Sequence, residues 1–164
     1  LLVFALFWLC VSLALKSLAI QTSPWAFPIA SVFHLLGIVL FVGMRLVLDL
    51  RMIGLAFGGI AVPEIMKRVG AWSLAGAMLT VVSGMVLYTA DSARLAANPV
   101  FEFKVAALSA ALLNTWVFHA VLTRGARDWD VTRPLPAPAV ASAYVSLALW
   151  VVLMVAGRFV AYYV

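Results

Sequence analysis

Residues 28–50 read PIASVFHLLGIVLFVGMRLVLDL. About 20 consecutive apolar residues in a helix are needed to cross the roughly 30 Å hydrocarbon core of a bilayer, and this run supplies them. Working outward, four more stretches meet the same requirement, near 1–20, 70–89, 101–122 and 140–162. Lipid offers the backbone no hydrogen-bond partners, so each stretch must satisfy its own peptide groups as a helix. A membrane β-barrel would show short alternating segments, and these runs are continuous. The expectation is an all-α, polytopic membrane protein, one domain of five transmembrane helices.

Composition agrees. Of the 164 residues, 66% are hydrophobic and 10% charged, and the mean hydropathy is +1.15. Soluble domains carry about 25% charged residues. The run at 1–20 exceeds the 7–15-residue core of a signal peptide, and Ser17-Leu18-Ala19 matches an A-x-A cleavage site only loosely, so it reads as a span. The single cysteine, Cys10, lies inside that run and has no disulfide partner; it packs as a small hydrophobe.

A net charge of +5 in another setting would suggest nucleic acid. Here the cations sit in short connections beside the spans, which points to topology and anionic lipid instead. With the N-terminus in the cytoplasm, that side collects Arg45, Arg51, Lys67, Arg68, Arg124, Arg127 and Arg133. The opposite side holds Lys16, Arg94, Lys104 and Arg158. The positive-inside rule then places the N-terminus inside and the C-terminus outside.

Val62-Pro63-Glu64 reads as a helix start, with proline at N1 and an acid in the first turn. Ile65–Val69 mixes apolar and basic residues and is expected to lie on the membrane surface before the span at 70–89. Asn98-Pro99 reads as an N-cap followed by proline at N1. Pro134-Leu-Pro-Ala-Pro138 forms a stiff spacer before the last span. Trp25, Trp72, Tyr88, Phe101, Trp129, Tyr162 and Tyr163 fall near span ends, where interfacial aromatics belong. Gly76, Thr80 and Gly84 form an i, i+4 row, as do Ala106/Ala110 and Ala107/Ala111; such rows let helices approach closely, within one chain or across a dimer, and packing within the chain is the simpler role.

Ionisable groups inside spans are expensive and therefore candidate sites. The two histidines, His34 and His119, suggest bis-imidazole ligation of a b-type haem. Their spans run in the same direction, and His34 lies roughly 9 Å and His119 roughly 27 Å from the outer starts. One iron needs both nitrogens at one depth, so the pairing within one chain is disfavoured. A homodimer with its two-fold axis along the membrane normal would instead pair each histidine with its mate, giving two haems at separate depths. The alternative is that both histidines, with Asn114, hydrogen-bond across helices. Arg45 and Asp49, four apart, share a helix face and read as a structural clamp, with Arg51 snorkelling to the surface. Asp91, Arg94, Glu102 and Lys104 surround a loop at the other side. No nucleophile elbow, zinc-protease, P-loop or dinucleotide motif is present, and no independent catalytic activity is expected.

His34-Leu-Leu-Gly37, Asp49-Leu50-Arg51 with Gly54, Asn98-Pro99-x-Phe101-x-x-Lys104 and Asn114 together resemble a family of small bacterial inner-membrane proteins of unknown function. More distantly, the His-Leu-Leu-Gly helix is similar to membrane domains of the copper-resistance protein D type. The resemblance implies the bacterial inner membrane and a link to copper or redox chemistry. The six methionines, Met44, Met52, Met66, Met78, Met85 and Met154, are scattered rather than clustered, as core filler would be. Two functions stay in view: a non-catalytic subunit or scaffold of a larger respiratory or photosynthetic complex, and a haem-binding or redox-linked protein using His34 and His119.

Overall fold

The computed structural model describes residues 23–124, 129 and 134–163, and every regular element among them is helical. The elements are α1 (Ala26–Met52), α2 (Val62–Ala90), the short α3 (Ser92–Ala96), α4 (Pro99–Ala120) and α5 (Ala137–Phe159). Four of them, α1, α2, α4 and α5, are long and apolar enough to cross a membrane, with mean hydropathies of 2.1, 1.6, 1.7 and 2.2. At 1.5 Å per residue the 27 residues of α1 extend about 40 Å. The expected spans at 28–50, 101–122 and 140–162 correspond to α1, α4 and α5. The expected span at 1–20, with Cys10 and Lys16, lies outside the described residues, as do Arg127 and Arg133.

One boundary differs. The stretch Ile65–Val69 is not a separate surface segment: α2 runs unbroken from Val62 to Ala90. Pro63 and Glu64 do open a helix, but nothing after them breaks it. Ile65 is buried while Lys67 and Arg68 are exposed. The mixture of apolar and basic residues is therefore the ordinary two-sidedness of a first helical turn packed on one side.

Packing groups the described residues into two compact units, one of 23–41 with Leu74–Ala97, the other of Val42–Ser73 with those described from Asn98 onward. In the first, the close approach of α1 and α2 is made by glycine. A Cβ on Gly76 would stand 2.5 Å from the Phe41 backbone nitrogen, and one on Gly37 would stand 2.6 Å from the Thr80 nitrogen. A Cβ on Gly84 would meet the His34 ring at 2.9 Å. The Gly76/Thr80/Gly84 row thus packs within the chain. Small residues at these positions let the two helix backbones approach closely.

The second unit carries a core of Leu48, Met52, Val62, Ile65, Phe118, Trp129, Ala139 and Ala143. It gathers the end of α1, the start of α2, the end of α4 and the start of α5. Ala107 and Ala111 are buried on α4, while Ala106 and Ala110 face outward, so only one of the two alanine rows packs inside. Trp129 also departs from expectation. Trp25, Trp72, Tyr162 and Tyr163 are exposed, whereas Trp129 is 7% exposed and packs on the Phe118 ring at 6.3 Å between centroids. The connection from α1 to α2 turns at Gly54, whose φ of +80° suits a residue without a Cβ. Just beyond it, the Leu55 amide donates to the Leu50 carbonyl at 3.0 Å.

Candidate functional site

The densest polar cluster lies in the second unit, and it is built on Arg45 and Asp49. One helical turn brings both to the same face of α1, and both are buried, Asp49 at 0% exposure. Arg45 Nη2 lies 3.4 Å from Asp49 Oδ1, a long contact. The short one comes from α5, where Ser146 Oγ donates to Asp49 Oδ2 at 2.5 Å. Having given its single proton to the carboxylate, Ser146 Oγ accepts from Trp150 Nε1 at 3.0 Å and from Arg45 Nη2 at 3.5 Å. The Arg45 guanidinium carbon also sits 5.7 Å from the Phe118 ring centroid, so the cation meets a π-face from α4 as well. Arg45 Nε is buried with no hydrogen-bond partner among the described residues. The expected Arg45–Asp49 clamp is present, and its reach is wider than a pair. It ties α1 to α5 and rests on α4.

Two further polar ties join α4 to α5. Asn114 Nδ2 donates to the Ser142 carbonyl at 3.0 Å, and Ser142 Oγ donates to Asn114 Oδ1 at 3.0 Å. At the other end of these helices Asn98 does two jobs. Its Oδ1 accepts from the Val100 and Phe101 amides at 2.9 and 3.1 Å, the expected N-cap. Its Nδ2 donates to the Val160 and Tyr163 carbonyls at 3.1 and 3.2 Å, which satisfies acceptors at the end of α5. Lys104 lies between one and two turns further along α4 than Asn98, opposite Gly157: a Cβ there would be 3.7 Å from the ammonium nitrogen.

Arg51 does not snorkel. It is 7% exposed, and its Nε donates to the Ile60 carbonyl at 2.6 Å, closing the connection between α1 and α2. The two ends of that connection offer a carbonyl that the helices leave unpaired, and a guanidinium held nearby satisfies it better than water at the surface.

The histidines fall in different units, His34 in the first and His119 in the second. His34 Nδ1 lies 2.9 Å from the Thr80 carbonyl and 3.2 Å from Ser83 Oγ. A carbonyl only accepts, so Nδ1 carries the proton and Nε2 the lone pair. His119 is exposed and meets the neighbouring Phe118 ring edge-on, with centroids 5.2 Å apart. Among the described residues no three of His, Cys, Asp and Glu gather where they could hold a metal ion.

No family model, curated protein or solved structure matches the chain.

The geometry of the site therefore carries the functional reading. Residue types and helical spacing brought out Arg45, Asp49, Asn98, Asn114 and His34, and each makes contacts between elements or caps one. Ser142, Ser146, Trp150 and Phe118 were missed. A serine in an apolar run looks like any small packing residue. The one available signal was the spacing of Ser142, Ser146 and Trp150 at i, i+4, i+8, which puts all three on one face of α5.

Proposed function

We propose that the chain is a multi-pass protein of the bacterial inner membrane, with five transmembrane helices, a cytoplasmic N-terminus and an outer C-terminus. It acts there as a non-catalytic subunit or scaffold of a larger respiratory or photosynthetic complex. The observation that carries this reading is where the polar side chains go. Asp49, Ser146, Asn114, Ser142 and His34 all bond between helices, and Trp150 braces Ser146 within α5. The outward faces are apolar instead, with Leu36, Val39, Met78, Val82, Leu113 and Val155 exposed. Surfaces of this kind meet lipid or other membrane helices.

Purification of the tagged chain from native membranes in a mild detergent tests the reading. A scaffold subunit migrates with a large assembly on a native gel, and its deletion lowers the yield of that assembly. Migration at the mass of the isolated chain, with the deletion leaving the membrane complexes unchanged, overturns it.

A second reading, ligation of a b-type haem, draws on one specific observation. The Nδ1–H of His34 held by a carbonyl is the tautomer in which Nε2 can serve as a ligand, and such an outer hydrogen bond orients metal-bound imidazoles. A reduced-minus-oxidised spectrum of the purified chain decides between the two. A haem band abolished by His34→Ala and by His119→Ala supports ligation, and a featureless wild-type spectrum leaves the scaffold.

A further inference from the structure

A groove of about 440 Å³ runs between α4 and α5, lined by Val100 and Phe103 on one side and by Val151, Val152, Val155 and Phe159 on the other. From Val151 to Phe159 it follows α5 for about 12 Å. Every side chain named is apolar, and the groove opens outward. On α5 the stripe that floors it continues in register: Val151, Val155 and Arg158 stand at i, i+4 and i+7 on one helix face, with Tyr162 in the turn that follows the helix. The groove therefore runs out, at the end of α5, onto a cation.

Among the described residues no ion pair reaches that cation. Arg158 Nη2 donates to the Tyr162 hydroxyl at 2.6 Å, and its guanidinium carbon lies 4.9 Å from the Tyr162 ring centroid. The hydroxyl orients the guanidinium, whose planar fork carries five N–H donors suited to a phosphate. Lys104 is a second cation at this end, beside Gly157. Glu102 is exposed on the first turn of α4, yet among the described residues no ion pair joins a carboxylate to either cation.

We propose that this groove holds one acyl chain of an anionic phospholipid whose phosphate is bound at the mouth by Arg158. Hydrocarbon below and a positive charge above match the two halves of such a lipid, and basic pockets beside transmembrane helices select anionic headgroups. A partner helix would fill the apolar length but offers nothing specific to the charge at its end. The proposal rests on the membrane reading given above.

The test uses the full chain in mild detergent, with phosphatidylglycerol and phosphatidylcholine of identical acyl chains, followed by native mass spectrometry. Wild type retains phosphatidylglycerol as a 1:1 adduct, favoured roughly fivefold over phosphatidylcholine, and inorganic phosphate does not displace it. Arg158→Gln, at an exposed position, keeps the fold and brings the two lipids to equal retention. Val155→Trp fills the groove and removes both adducts. A photoreactive acyl chain cross-links within 151–159, which reads the site without any substitution. Equal retention of the two lipids by wild type, displacement by inorganic phosphate, or cross-links confined elsewhere overturns the proposal. So does a change of oligomeric state in Val155→Trp with its lipid adducts intact, which would assign the groove to a second copy. Extraction of the chain from membranes by alkaline carbonate reports separately on the membrane reading.

Discussion

Removing Asp49 while keeping Arg45 is the sharpest perturbation available. At 3.4 Å, the Arg45–Asp49 attraction is roughly 5 kcal/mol with an effective dielectric of 20. The loss of hydration on burying the two ions is several kcal/mol each, so the intact pair contributes little net stability. Half of the pair is another matter. In Asp49→Leu the guanidinium stays at 4% exposure without its counter-ion, and Ser146 loses the acceptor of its 2.5 Å hydrogen bond. The expected destabilisation is about 3–5 kcal/mol. Replacing both members, Arg45→Met with Asp49→Leu, removes the stranded charge and returns stability to within about 1 kcal/mol of wild type. Reversible unfolding in mixed micelles, followed by far-UV circular dichroism, gives all corners of the double-mutant cycle. A loss below about 1 kcal/mol for Asp49→Leu, or a double variant no better than the single, would refute the reasoning, because either means the charge is solvated.

Three further outcomes are expected in the same assay or beside it. Gly76→Ala destabilises by about 1–3 kcal/mol, since the new methyl meets the Phe41 backbone at 2.5 Å, whereas Gly70→Ala, with nothing within 4 Å, does not. Asn98→Ala loses both the cap of α4 and the link to the end of α5, for about 1–3 kcal/mol; Asn98→Asp keeps the cap acceptor and falls between it and wild type. Arg51→Met frees the Ile60 carbonyl, and limited proteolysis then cuts within 53–61 faster than in wild type, with the helical content unchanged.

How much of this was legible beforehand depended on whether the signal was local. Long apolar runs announce helices by composition, and α1, α4 and α5 begin and end within a few residues of where hydropathy puts them. The Asn98-Pro99 cap was readable because capping is a property of two or three consecutive residues. The Gly76/Thr80/Gly84 row was readable as packing because small residues spaced i, i+4 let helix backbones approach closely. What could not be read was pairing across distance. Ser146 meets Asp49 from 97 positions away, and no hydropathy pattern says which helix faces which. Arg51 looked like a surface cation for the same reason: its acceptor, the Ile60 carbonyl, exists only once the connection has folded back. Trp129 looked interfacial by its place near a span end, and it went into the core because Phe118 offered a ring to pack on.

The proposed function requires that the four long helices thread a bilayer, with the 53–61 connection on the cytoplasmic side and the turn before Asn98 outside. Single cysteines at Gly58→Cys and Ala97→Cys, both exposed, in a Cys10→Ser background test it directly with a membrane-impermeant maleimide. In intact spheroplasts the expected result is labelling at position 97, with position 58 labelled only after permeabilisation. Equal labelling of both positions before permeabilisation, or the reverse pattern, would contradict it.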